Sequence, residues 1–138
     1  MNATPVSSLT LLAMLAAALM PIVCAGIAKS PGFGKRRREG GFDNHNPRLW
    51  LANLQGWQAR ANAAQANCFE ALPFFLAAVL MAHFTGAAPD RVAALCGLWL
   101  ALRVAFVGLY LADRANARTL VWVAALAVNV TLLFSGRW

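Results

Sequence analysis

Arg60-Ala61-Asn62-Ala63-Ala64-Gln65-Ala66-Asn67-Cys68-Phe69-Glu70-Ala71-Leu72-Pro73-Phe74-Phe75 places ionic and amide side chains just ahead of a stretch, Ala71 to Pro89, that holds no charge at all. Asn53, Arg60 and Asn67 are spaced by seven, and Glu70 follows Asn67 by three. At helical pitch these four fall within about 100° of one another, so the spacing predicts one polar stripe on an otherwise apolar helix. That helix is expected from about Leu51 to Phe84. At ~1.5 Å per residue it exceeds the hydrocarbon core of a bilayer, so its first turns should project into water. Pro47 suits a helix start, and Pro73 marks a place for a bend.

Three further apolar segments flank it. Val6 to Ala28 is 23 residues without a charge, enough to cross a bilayer. A signal peptide is the competing reading. The uncharged start, the length of the run and Lys29 at its end favour a retained span. Pro21 within it is tolerable in a transmembrane helix. Val92 to Ala112 is a third segment of 21 residues with one charge, Arg103, near its centre. Thr119 to Gly136 is a charge-free fourth of 18 residues. Residues 30–48, 85–91 and 113–118 are rich in Gly, Pro, Asn and charge, and read as loops. One membrane domain over 1–138 follows, with spans of about 6–28, 51–84, 92–112 and 119–136 and a basic loop at 29–50.

Composition agrees. Charged residues are 12% against 60% apolar, where a soluble domain carries about 25% charge. The net charge of +7 is concentrated, since seven of the twelve cations lie between Lys29 and Arg60. With the spans removed no nucleic-acid module remains, so these cations point to membrane topology and anionic lipid heads rather than to nucleic acid. Loops one and three carry the excess of Lys and Arg. They are expected to face the cytoplasm, with both termini on the other side, and in a bacterium the membrane would be the inner one. Cys24, Cys68 and Cys96 fit no zinc spacing and read as small buried thiols. His45 and His83 lack ligand partners nearby, so no metal is expected.

Two ionic residues lie at membrane depth. A central Arg costs about 2.5–3.5 kcal/mol on insertion scales, so Arg103 should face the bundle and pair with Glu70. That pair would either fix helix register or floor a polar cavity open to the cytoplasm. Arg103 and Tyr110 are seven apart and share a face with Arg114. Asn129, inside the fourth segment, reads as a helix-packing amide. Trp57, Trp99, Trp122 and Trp138 read as interface or lipid-facing aromatics.

The stretch quoted above has an Arg, then Asn-x-x-Glu, an apolar residue and Pro-Phe. It resembles the second-helix signature of the MAPEG superfamily, the membrane-associated proteins in eicosanoid and glutathione metabolism. Arg103-Val104-Ala105 with Tyr110 is similar to the family's third helix, and Arg118-Thr119 to the Arg-Ser pair that opens the fourth helix in its prostaglandin E synthase. The resemblance, which extends to the microsomal glutathione transferases, implies an all-α, antiparallel four-helix bundle assembling as a homotrimer, with glutathione sites between protomers. Asn67 and Glu70 would come from one protomer, and Tyr110, Arg118 and Thr119 from the next. Arg118 would lie nearest the thiol, Thr119 would donate a hydrogen bond to the sulfur, and Lys29 would meet a glutathione carboxylate. Arg60 and Arg103 belong to the same implied binding set.

Glutathione has two carboxylates, an amine and a thiol, so cations and a carboxylate suit it. A nearby cation raises the thiolate fraction. The implied reaction is thiolate attack on a lipophilic electrophile or peroxide arriving from the bilayer. The alternative is a non-catalytic four-helix membrane protein that binds a lipid or a partner protein. It rests on Ala63, Gln65, Ala66 and Phe106, which stand where the family's active enzymes often carry Arg or His.

Overall fold

The computed structural model describes residues 6–137, and all regular structure among them is helical. Trp138 lies outside the described residues. Helix α1 runs over Ser8–Lys29, α2 over Pro47–Ala52, α3 over Gly56–Phe84, α4 over Pro89–Leu111 and α5 over Ala115–Phe134. Short 3-10 turns fall at Ser30–Gly32, Arg37–Glu39 and Ser135–Arg137. Four helices are long and apolar enough to cross a membrane: α1, α3, α4 and α5.

Local chemistry sets the ends. The Ser7 side chain accepts from the Thr10 N–H at 3.1 Å and caps α1, satisfying an amide that the first turn leaves free. At the other end the Ser30 hydroxyl donates to the Ile27 carbonyl at 2.8 Å. Pro47 and Pro89 occupy the first turns of α2 and α4, where a missing N–H costs nothing. The helix expected from Leu51 to Phe84 is corrected. The chain breaks after Ala52, and α3 begins at Gly56, whose φ of +56° a residue with a Cβ adopts only under strain. Asn53 therefore leaves the stripe of Arg60, Asn67 and Glu70, and its side-chain N–H donates to the Leu49 carbonyl instead.

Helices α3 and α4 each pack on the other three spans, with α1 and α5 on the flanks. The turns at 85–88 and 112–114 are too short for anything but antiparallel neighbours. Small residues, Ala13, Ala17, Ala78, Ala82 and Ala125, occupy the interior and let backbones approach closely. Phe75 and Trp99 stack at 3.9 Å between ring centroids. Trp99 is thus a core residue, not the interface aromatic expected, because its place on α4 faces α3. The outer faces carry Leu9, Leu12, Leu15, Ile22, Val23 and Leu120 largely uncovered. Contiguous apolar surface on this scale suits hydrocarbon, not water.

Candidate functional site

The polar residues of α3, α4 and α5 converge on two adjoining hollows. The first, about 160 Å³, is lined by Asn67, Glu70, Trp99, Arg103, Trp122 and Asn129, among others. The second, about 240 Å³, is lined by Asn67, Phe106, Tyr110, Arg118, Thr119 and Trp122. Asn67 and Trp122 belong to both.

Arg103 sits at the floor, 1% exposed. Its Nη2 donates to Asn67 Oδ1 at 2.9 Å and to Cys68 Sγ at 3.6 Å. Its guanidinium lies 4.4 Å from the Phe106 ring centroid and 5.9 Å from that of Trp99. The expected Glu70–Arg103 ion pair is not made: among the described residues no carboxylate comes within 4.0 Å of Arg103. Asn67 stands between them, donating from Nδ2 to Glu70 Oε2 at 3.3 Å while its carbonyl takes the Arg103 donor. The amide lets Glu70 keep its carboxylate exposed, which avoids the desolvation that a direct buried pair would demand.

In the second hollow the Arg118 guanidinium lies 4.0 Å from the Tyr110 ring centroid, and Phe106 meets the same ring edge-on. Arg118 has no carboxylate partner among the described residues. The Thr119 hydroxyl donates to the Ala115 carbonyl at 3.1 Å, a back-bond that it must give up before donating to a ligand. Within one chain, Asn67 of α3 shares the lining of the second hollow with Tyr110, Arg118 and Thr119.

Two expected site residues lie elsewhere. Arg60 donates from Nε to the Leu111 carbonyl at 3.2 Å and pairs with Asp113 at 3.6 Å, bracing α3 against the α4–α5 turn. The Lys29 ammonium rests 4.7 Å from the Phe42 ring centroid. Neither lines a hollow. Sequence reasoning, conversely, missed Trp122 and Asn129 as site residues. Asn129 is 3% exposed and its Oδ1 has no hydrogen-bond partner, so it does not serve as a packing amide through that atom. An amide inside a charge-free span was the signal available.

Neither curated proteins nor solved structures give a match to this chain. The family model does: MAPEG family matches residues 9–138, which takes in all four spans and both hollows. A multi-pass helical bundle with Asn67, Glu70, Arg103, Tyr110 and Arg118 gathered on its inner polar face, matched over nearly its whole length, therefore belongs to the MAPEG family.

Proposed function

We propose that this chain is a glutathione-dependent membrane transferase or peroxidase acting on lipophilic electrophiles. One observation carries the reading. Arg118, a cation with no carboxylate partner among the described residues, shares a hollow with the Asn67 amide, the Tyr110 phenol and the Thr119 hydroxyl. Family membership supports it, because glutathione is the family's usual cofactor. The donor set suits the tripeptide: Arg118 for an anion, Asn67 for a peptide group, and Glu70 in the adjoining hollow for the amine.

Bound glutathione would supply the nucleophilic sulfur. Arg118 would hold that sulfur in its anionic form by charge, and Thr119, once released from Ala115, would donate to it. Phe106 and Trp122 would keep water from the sulfur on the apolar side. A homotrimer accompanies this reading, with a neighbouring protomer completing the rim.

The non-catalytic reading also has an observation behind it. Arg118 is the one cation lining the second hollow, with the neutral Phe106 beside it, and two carboxylates want more positive charge than that. Calorimetric titration of detergent-purified protein with glutathione separates the two. Saturable binding at or below millimolar concentration is the expected result. No binding at millimolar glutathione overturns the enzyme reading and leaves the lipid- or partner-binding one.

A further inference from the structure

Arg103 poses an electrostatic problem that the hollows do not solve. It is a buried guanidinium with no carboxylate within 4.0 Å among the described residues. Of the groups it touches, Asn67 is neutral and the Phe106 and Trp99 rings offer only their quadrupoles. The remaining contact is the Cys68 sulfur at 3.6 Å, the one among them that can carry a full negative charge. A buried cation lacking an anion is costly, and the sulfur is the contact that answers the Arg103 donor.

Cys68 is not alone. Cys24 of α1 packs beside it in a small cluster with Ala64, and both thiols are buried and free. Cys24 also lines an apolar groove of about 520 Å³ between α1 and α4, together with Met20, Val23, Val104, Val107 and Leu111. That groove is separate from the two polar hollows and shares no residue with them. Val23 and Val104 on its walls are largely uncovered, so it opens on the face that meets hydrocarbon.

We infer that Cys24 and Cys68 form a redox-active dithiol, held by Arg103 and reached through the α1–α4 groove, that closes to a disulfide when an organic hydroperoxide enters from the bilayer. Cys24, which faces the groove, attacks the terminal oxygen of the hydroperoxide. The O–O bond breaks, Cys24 becomes a sulfenic acid, and the thiol proton goes to the departing alkoxide to give an alcohol. Cys68, held beside the Arg103 guanidinium, then attacks the Cys24 sulfur. The S–S bond forms, the Cys24 S–O bond breaks, and the hydroxide leaves with the Cys68 thiol proton as water. The two thiols together lose two hydrogens, and the hydroperoxide is reduced to alcohol and water. The closed disulfide would tie α1 to α3. No glutathione takes part, so the inference stands apart from the proposed function.

The test uses the full chain with Cys96→Ser, reconstituted in phosphatidylcholine vesicles without glutathione and treated with cumene hydroperoxide. After denaturation and alkylation with N-ethylmaleimide, the intact mass is measured. The expected product lacks two hydrogens, carries no maleimide, and regains both thiols with dithiothreitol. Cys68→Ser should instead give a Cys24 sulfenic acid trapped by dimedone. Arg103→Leu should slow disulfide formation about tenfold, and Arg103→Lys should retain much of the rate. Two alkylated thiols after peroxide treatment would overturn the inference. So would separate higher oxides without a disulfide, or a disulfide found only between copies of the chain.

Discussion

Arg118 carries its charge over an aromatic ring instead of against a carboxylate, and that leaves the charge available to a ligand. If Arg118 holds a thiolate, Arg118→Leu should abolish the ultraviolet thiolate absorbance of bound glutathione at neutral pH. Arg118→Lys should keep part of it, since charge survives but the planar fork does not. An Arg that only anchors the helix at the interface would leave absorbance and turnover unchanged in both variants. The Asn67 amide makes a second prediction. Because Arg103 bonds Asn67 and not Glu70, a double-mutant cycle of Asn67→Leu with Arg103→Leu should show coupling of roughly 1–3 kcal/mol. The cycle of Glu70→Gln with Arg103→Leu should show clearly less. Equal coupling in the two cycles, read from reversible unfolding in detergent, would mean that Glu70 acts on Arg103 directly.

The elements hold two further predictions. Gly56 opens α3 at φ +56° with open space around it, so the demand there is on the backbone and not on volume. Gly56→Ala should therefore lower stability by about 1 kcal/mol in thermal unfolding. In the basic loop, Asp43 is held below its ordinary value of 3.8. Partial covering pushes the carboxyl up, but the His45 N–H and the Arg37 guanidinium outweigh it. A depressed carboxylate contributes its order to the loop above 3.8, and the contribution is lost as pH falls through the lower folded value. Hydrogen exchange of the loop amides, corrected for intrinsic rate, should rise on acidification in the wild-type chain. In Asp43→Asn it should already be high at neutral pH and show no such step.

At the scale of the molecule, the four spans were legible because charge-free runs of bilayer length have few other uses. The break at 53–55 was not, because the seven-residue polar spacing runs straight across it and hides the turn. The site was half legible. Asn67, Glu70 and Arg103 line one hollow and Asn67, Tyr110, Arg118 and Thr119 the adjoining one, but sequence spacing tells which face a residue shares and not which neighbour it selects. Opposite charges suggested Glu70 for Arg103, and an amide three residues away took the place. Trp99 failed for a related reason: an aromatic residue in a span is equally at home against lipid and against another helix. Orientation in the membrane is the remaining global expectation. With loop 30–48 on the cytoplasmic side, Ser30→Cys in a chain free of native cysteines should react with an impermeant maleimide only from that side. Labelling from the outer side would invert the topology.

Asn67 also makes the two hollows thermodynamically one object. Its carbonyl belongs to Arg103 and its amino group to Glu70, and its side chain lines both chambers. An occupant of the second hollow that draws on this amide would loosen the hold on Arg103 in the first. By reciprocity, whatever fills the first hollow would then alter the affinity of the second by the same factor. Two guests of this bundle would not bind as strangers; the occupancy of each would be written into the isotherm of the other.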